Sequence, residues 1–397
     1  MKLAKRVGRI SPSPTLSITA EAKALAARGV DVIDFASGEP DWDTPVPVKD
    51  AGITAIRKGF TKYTAVGGID DLKSAVADKL LRDQGLTYEK SQILISCGAK
   101  HTLYNLAQAL FEAGDEVVIP APYWVSYPDQ VLLNDAAPVI VPTSEATGFQ
   151  LTGELLERHV TERTKAVIVN SPGNPTGSAY ERRTLEGIAE AALRHGLLII
   201  SDEIYEKLLY DGLTHVSIAS LGPEVQARTV VVNGVSKAYS MTGWRIGYAA
   251  GPKDVISAMA TIQSQSTSNP TSISQKAAVA ALNEGEPFIK EMVAEFDQRR
   301  RFMVERLNKI PGIHCATPNG AFYAFPHVGG LVGRRSPDGP ITSGTALAAY
   351  FLKEALTATV PGEAFGAPDY IRFSYATGMP KIMEGLDRIE AAVRRLA

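Results

Sequence analysis

Two side chains that could do acid–base chemistry follow apolar segments of this sequence. Asp202 comes after the segment 197–201, and Lys237 comes after the segment 229–233. A buried charge is unfavourable unless it is paired or used, so each position calls for a partner. A carboxylate and an amine that lie close together could both bind one ligand that carries a basic nitrogen and a carbonyl group.

Two further segments contain groups that suit the same kind of ligand. The stretch SCGAK at 96–100 begins a segment of helical periodicity, and the free N–H groups at a helix start suit a phosphate. The loop NSPGNPTG at 170–177 presents Asn174. Pyridoxal phosphate has a phosphate, an aldehyde that captures an amine, and a ring nitrogen that a carboxylate can keep protonated. Each feature alone also has an ordinary structural explanation, such as an exposed lysine or a helix N-cap.

The elements that must position these residues follow an α/β pattern. Short β-branched runs alternate with helical periodicity from about residue 93 to residue 250, which is typical of βα units around a parallel sheet. Ligands bind at the carboxyl ends of such strands, where the residues above lie. The predicted strands span residues 93–95, 116–119, 166–170, 197–201, 229–233 and 246–250.

The sequence pattern changes after residue 250. An amphipathic stretch at 287–308 predicts a long connecting helix, and strands are expected at 321–325 and 370–375. We therefore expect a smaller α+β domain after the α/β region, with the N-terminal segment folded against it. The predicted units are an N-terminal arm and small-domain segment at 1–45, a large cofactor-binding domain at 46–290 and a small domain at 291–397.

Length and composition narrow the class of protein. A chain of 397 residues with 45% apolar content is expected to form at least two domains. With 41 basic and 43 acidic residues and no polybasic stretch, we expect no nucleic-acid or membrane partner. Cys97 and Cys315 form no CxxC pair, so neither a disulfide scaffold nor a metal site is predicted. No apolar signal segment follows the basic start at 1–10, so a cytoplasmic protein is expected.

Four blocks of the sequence resemble the signature segments of class I aminotransferases of fold type I. In family order they are NSPGNPTG at 170–177, DEIY at 202–205, SKAYSMTGWRIG at 236–247 and RFSYA at 372–376. The resemblance extends from Gly38 to Arg372 and is closest to prokaryotic-type aspartate aminotransferases. It implies a large domain with a mainly parallel seven-stranded sheet and a smaller α+β domain. It also implies ping-pong transfer of an amino group from aspartate, or a related amino acid, to 2-oxoglutarate, with pyridoxal 5'-phosphate as cofactor.

The resemblance implies a role for each matching residue at the cofactor. Lys237 would be the catalytic residue, which links the cofactor as a Schiff base and then moves a proton at the substrate Cα. Asp202 would keep the ring nitrogen protonated. Tyr205 and Asn174 would contact the ring hydroxyl, and Trp124 would stack on the ring face. The implied phosphate contacts are Ala99, Lys100, Ser236 and Arg245 of the same chain. Tyr63 would reach the phosphate of a neighbouring subunit.

The same resemblance implies how an amino acid is bound. Arg372 would hold the α-carboxylate beneath the main chain of Gly38, with Trp124 and Asn174 beside it. Lys100 would reach the distal carboxylate of a dicarboxylic substrate, where Ser13 and Thr15 could add hydroxyl groups. The role of Tyr63 at a neighbouring phosphate implies a homodimer with shared active sites. Ser11 stands where many relatives carry lysine, which weakens the expectation that prephenate is accepted.

Other functions compete with this interpretation. An aminotransferase of aromatic, alanine or prephenate specificity, or a β-lyase of the same fold, remains open because fold alone does not separate them. A transcription regulator with an aminotransferase-like domain would need a helix-turn-helix module, for which the residues before Gly38 are too few. A nicotinamide dehydrogenase is disfavoured because no GxGxxG motif follows a predicted strand.

Overall fold

The computed structural model describes residues 3–397, so the first two residues of the basic stretch 1–10 lie outside the described part. Its α-helices are α1 Pro14–Ala27, α2 Val46–Arg57, α3 Asp70–Gln84, α4 Ala99–Leu110, α5 Ser126–Leu132, α6 Gly153–Glu157, α7 Arg182–Arg194, α8 Pro223–Gln226, α9 Lys253–Ser264, α10 Ser272–Glu284, α11 Glu286–Asn308, α12 Gly344–Glu354 and α13 Met379–Arg394. Its strands are β1 Ile33–Asp34, β2 Ile93–Ser96, β3 Glu116–Ala121, β4 Ala137–Pro142, β5 Thr164–Asn170, β6 Leu198–Asp202, β7 Thr229–Gly234, β8 Gly247–Ala250, β9 Tyr323–Ala324, β10 Arg335–Ser336, β11 Gly339–Pro340, β12 Thr357–Ala358, β13 Val360–Pro361 and β14 Ile371–Ser374.

A seven-stranded sheet forms the centre of the α/β region. Its strand order is β2-β8-β7-β6-β5-β3-β4. The strands from β7 to β4 pair in parallel, whereas β8 runs antiparallel to both of its neighbours. The predicted fold class, an α/β protein with a mainly parallel seven-stranded sheet, is therefore confirmed. The valine-rich β7 is buried at every position, as expected for a strand covered on both faces.

Strand β4, at the edge of this sheet, is not predicted by the sequence pattern. Its sequence APVIVP contains two prolines, and most of its residues are exposed or half-buried. Proline cannot donate a hydrogen bond to a neighbouring strand and is therefore confined to edge strands. The prolines that obscured the strand in the sequence are compatible with its position at the edge.

The region after residue 250 contains the long helix and a second, smaller sheet. Helix α11 spans 23 residues and begins one residue before the predicted helix. Strands β13, β14 and β9 form an antiparallel sheet; β9 and β14 are shorter than the strands predicted at 321–325 and 370–375. Near the N-terminus, β1 pairs in parallel with β12, which brings the first and last parts of the chain together.

The register of the large sheet brings the chemically interesting strand ends together. Asn170 at the end of β5 is paired with Asp202 at the end of β6, and Asp202 is paired with Val232 in β7. The chain then continues from β7 to Lys237. The parallel strands thus place an amide, a carboxylate and an amine together at the carboxyl end of the sheet. Within residues 3–397, no helix is both long and apolar enough to cross a membrane.

Candidate active site

A cavity of about 330 Å³ lies at the carboxyl ends of β5, β6 and β7. The start of helix α4 and the short helix α5 form one side, and β9 and β14 of the smaller sheet form another. The start of α1 adds Ser13, Thr15 and Leu16 to the wall. The cavity therefore lies between the two sheets, and residues far apart in the sequence meet in it.

The structure brings the site residues suggested by the sequence into this cavity, with one exception. Those in the wall are Gly38, Ala99, Lys100, Trp124, Asn174, Asp202, Tyr205, Ser236, Lys237, Arg245 and Arg372. The exception is Tyr63, which precedes α3, lies outside the cavity and is 91% exposed. Tyr63 therefore adds nothing to the cavity wall of its own chain.

Asp202 is a buried carboxylate without a cationic partner. Its side chain is 4% exposed. The Tyr127 hydroxyl donates to Oδ2 over 2.6 Å, and the Ile204 amide donates to Oδ1 over 3.2 Å. Within residues 3–397 it forms no ion pair, and burial raises its pKa to about 6. The ionised form would gain free energy from a ligand that brings a positive charge.

Lys237 is a half-buried residue whose amine lies in the same cavity. Its Nζ donates a hydrogen bond to the Gly38 carbonyl, and the ring centres of Tyr205 and Phe322 each lie 5.9 Å away. Burial lowers its pKa to about 8, although the nearby carboxylate of Glu39 acts in the opposite direction. At neutral pH a useful fraction of this amine can therefore lose its proton and act as a nucleophile or base.

Arg372 provides a buried anion-binding group on β14. Its guanidinium donates to Asn174 Oδ1 over 2.9 Å and to the Ala36 carbonyl over 2.7 Å. The Tyr323 ring centre lies 4.5 Å from its Cζ. Its Nε is buried without a hydrogen-bond partner. No carboxylate of the described residues pairs with it, so an acid on a ligand could.

The start of α4 combines main-chain donors with a guanidinium. Gly98 precedes the helix with a φ of +92°, a conformation that favours glycine. The Arg245 side chain packs against Gly98 and donates to the carbonyls of Thr242 and Cys97 over 2.8 and 3.3 Å. The free N–H groups of the helix start and the guanidinium together suit a phosphate.

The net charge of the cavity wall also favours anionic ligands. The wall contains the cations Lys100, Lys237, Arg245 and Arg372 and the single carboxylate Asp202. Lys100 lies with its Nζ 5.0 Å from the Trp124 ring centre. Burial lowers the pKa of Lys100, and the charge of Arg245 lowers it further. A ligand with a phosphate and carboxylates would compensate these positive charges.

Three wall residues that contact the predicted ones were not predicted from the sequence. Tyr127 donates to Asp202, the Tyr323 hydroxyl lies 2.7 Å from the Tyr205 hydroxyl, and the Thr242 carbonyl accepts a hydrogen bond from Arg245 over 2.8 Å. Thr242 lies inside a signature block, which was a usable signal. The other two tyrosines resemble core residues in the sequence, and only their hydroxyl contacts reveal their position.

A second buried carboxylate, Glu203, lies beside Asp202 but outside the cavity wall. It lies 3.1 Å from His215 Nε2, and its Oε1 accepts hydrogen bonds from the hydroxyls of Ser201 and Ser217 over 2.8 and 2.6 Å. Burial would raise its pKa, but His215 and the two hydroxyls outweigh that effect and lower it. Glu203 is thus satisfied by the chain itself.

Comparison with known proteins gives one consistent result. The family model for aminotransferase class I and II matches residues 30–389. The chain is 51% identical to the aspartate aminotransferase of Geobacillus stearothermophilus, covering 100% of this chain and 98% of that one. It is 47% identical to the Bacillus subtilis enzyme of the same name, covering 100% of both. The crystal structure of the Rhizobium meliloti aspartate aminotransferase superposes with a TM-score of 0.96 at 46% identity, covering 100% of both chains.

Proposed function

The chain belongs to the aminotransferase class I and II family, and we propose that it moves an amino group from aspartate, or a related amino acid, to 2-oxoglutarate. We propose a ping-pong cycle with pyridoxal phosphate as cofactor. The observation that carries the proposal is the presence in one cavity of a half-buried lysine, Lys237, and a buried carboxylate, Asp202, neither of which forms an ion pair within residues 3–397. Full-length similarity to proteins named aspartate aminotransferase supports the donor.

The residues of the cavity fit pyridoxal phosphate group by group. Asp202 offers a buried carboxylate to a protonated ring nitrogen, and Trp124 offers an aromatic face to a ring. Arg245, Ser236 and the N–H groups at the start of α4 would hold the phosphate. When bound, the cofactor supplies a carbonyl that condenses with amines and a ring that withdraws electrons from the substrate Cα.

The chain's own residues would each perform one task in the reaction. Lys237, whose pKa is lowered to about 8 by burial, would release and take up the proton at the substrate Cα. Asp202 would hold a positive charge on the ring nitrogen and so stabilise the transition state. Arg372 would bind the α-carboxylate and orient the Cα–H bond toward Lys237.

A dicarboxylic substrate is favoured by polar groups that the cavity wall offers in addition to Arg372. Lys100, Ser13 and Thr15 line the same cavity and provide an ammonium group and two hydroxyls. By surface area Lys100 is exposed in the free protein, although desolvation lowers its pKa. A carboxylate therefore gains more free energy from pairing with it once the bound substrate covers the site. We propose that these three residues bind the distal carboxylate of aspartate and glutamate.

The substrate proposal is tested by Lys100→Ala with separate kinetics for each class of amino donor. We expect KM for aspartate and glutamate to rise about tenfold or more, while kcat/KM for alanine or phenylalanine changes little. Lys165→Ala is a suitable control because Lys165 pairs with Asp115 near the opposite end of β5. Equal losses for dicarboxylic and neutral donors would instead assign Lys100 to the cofactor and remove the local support for aspartate.

We propose that the protein is a homodimer in which Tyr63 reaches the phosphate site of the other subunit. Its 91% exposure supports a contact outside its own chain. Helix α2, which precedes Tyr63 in the chain, adds exposed apolar surface at Val46, Ile53 and Ile56. Mixing inactive Tyr63→Ala and Lys237→Ala chains should restore activity, because one hybrid site per dimer carries neither change. Demonstrated subunit exchange without activity would contradict the shared site.

We further propose the division into units at 1–45, 46–290 and 291–397, and a cytoplasmic location. Pairing of β1 with β12 supports the association of the first unit with the last.

The cytoplasmic location is supported by two free cysteines, because secreted proteins more often oxidise theirs to disulfides.

A further inference from the structure

Tyr127 is the only side chain of the described residues that donates a hydrogen bond to the Asp202 carboxylate. Its ring is 2% exposed, and its hydroxyl lies 2.6 Å from Asp202 Oδ2. The other donor to this carboxylate is the Ile204 amide, over 3.2 Å. Neither partner carries a charge, so the orientation and ionisation of Asp202 depend strongly on one phenol.

The short helix α5 holds Tyr127 firmly in place. Trp124 packs its ring edge against Tyr127 with 5.2 Å between the ring centres. Gln130, one turn further along the helix, donates to the Lys100 carbonyl over 3.1 Å and so ties α5 to the first turn of α4. The helix thus links Asp202, the aromatic face of the cavity and the helix start beside Arg245.

The direction of the hydrogen bond favours the ionised carboxylate. Burial and the neighbouring charge of Asp202 raise the pKa of Tyr127 far above its ordinary value, so the phenol keeps its proton. It therefore donates, and donation stabilises the carboxylate more than the carboxylic acid. Without this donor, burial would favour the neutral acid, which cannot hold a positive charge on a ring nitrogen.

We propose that Tyr127 is a positioning residue that fixes Asp202 and keeps it ionised, so that the carboxylate can hold the cofactor's ring nitrogen protonated. The inference rests on the proposed function, because it assigns to Asp202 the ring nitrogen of pyridoxal phosphate. Tyr127 acts through Asp202 and takes no part in the proton transfer itself.

The test replaces the hydroxyl alone, with Tyr127→Phe. Nitrogen-15 NMR of bound, ring-labelled pyridoxal phosphate reports the protonation of the ring nitrogen directly. We expect the wild-type signal to stay protonated at neutral pH, and the Tyr127→Phe signal to titrate at a pH at least about one unit lower. We also expect kcat to fall about tenfold, with KM nearly unchanged, since orientation matters in the transition state.

The control is Tyr350→Phe, which removes another buried phenol outside the cavity. The Tyr350 hydroxyl donates to the Ala392 carbonyl over 2.9 Å. This variant should leave the nitrogen-15 signal and its titration unchanged. A general loss of packing from a missing hydroxyl would affect both variants in the same way, whereas the proposed role affects only Tyr127→Phe.

A double-mutant cycle adds a measurement that does not depend on turnover. Tyr127→Phe should weaken cofactor binding about tenfold in the wild-type background and less than about twofold in Asp202→Ala, because the tyrosine acts through that carboxylate. Equal losses in both backgrounds, or an unchanged ring-nitrogen titration, would overturn the role of Tyr127. Wild-type protein that binds no pyridoxal phosphate would instead overturn the proposed function on which the inference rests.

Discussion

Asp202 and Glu203 are adjacent carboxylates at the end of β6, yet the chain treats them in opposite ways. Both are buried, at 4% and 0% exposure. Glu203 has His215 and two serine hydroxyls as partners, and its pKa is lowered. Asp202 has one phenol and one amide, and its pKa is raised to about 6. The two groups differ in their partners rather than in their burial.

This difference separates a structural charge from a functional one. Side chains alternate across a strand, so neighbouring residues face opposite sides of the sheet. Glu203 faces the interior, where the chain supplies its own partners. Asp202 faces the cavity, where a ligand can supply the missing positive charge. A buried ionisable group without a counter-ion, placed in a cavity, is therefore a better indicator of function than burial alone.

The largest expected effect is the loss of activity in Asp202→Asn. Asparagine can still accept from Tyr127, but it cannot hold a proton on the ring nitrogen by its charge. We expect kcat to fall roughly a hundredfold to a thousandfold, as for other losses of charge stabilisation in a buried site. Steady-state kinetics with saturating cofactor measure this. Near-native turnover would mean that Asp202 is as structural as Glu203.

A smaller but clear effect is expected on folding for Glu203→Gln. The substitution breaks a buried network with His215, and loss of one partner of a buried pair costs about 3 kcal/mol. Denaturant unfolding at pH 7 measures it. The lowered pKa of Glu203 adds a pH test: the difference between wild type and variant should persist above the unfolded pKa and shrink as the pH falls through the folded one. An unchanged free energy of unfolding would mean that Glu203 does not stabilise the fold, and would contradict its proposed difference from Asp202.

The last expected effect is also on folding, is of similar size at pH 7 and has the opposite sign. In the cofactor-free protein, Asp202→Asn should raise the free energy of unfolding at pH 7. The pKa of Asp202 rises from 3.8 to about 6 on folding, so the native state binds its proton more tightly and is destabilised once the pH exceeds both values. Removing the charge should stabilise by roughly 3 kcal/mol at pH 7 and by only about 0.5 kcal/mol near pH 4. Destabilisation at both pH values would show that Asp202 is satisfied by the chain.

The sequence predicted most of the sheet and most of the cavity wall, for identifiable physical reasons. Buried parallel strands have strong β-branched runs, and three of the four signature blocks begin at or just after the ends of these strands. Strand β4 was missed because its prolines and exposed positions hide the pattern of a strand. Tyr127 and Tyr323 were missed because a buried tyrosine in a sequence does not show what its hydroxyl contacts. Those contacts arise only when α5 and β9 pack against β6 and its following turn.

The most direct test of the central claim is to identify the lysine that binds pyridoxal phosphate. The loaded protein is reduced with borohydride, digested, and its peptides are analysed by mass spectrometry. We predict a single stable adduct at Lys237 and none in Lys237→Ala, since an amine whose pKa is lowered to about 8 is the nucleophile of the cavity. An adduct at Lys100, the other lysine of the cavity wall, or one that persists in Lys237→Ala, would contradict the account.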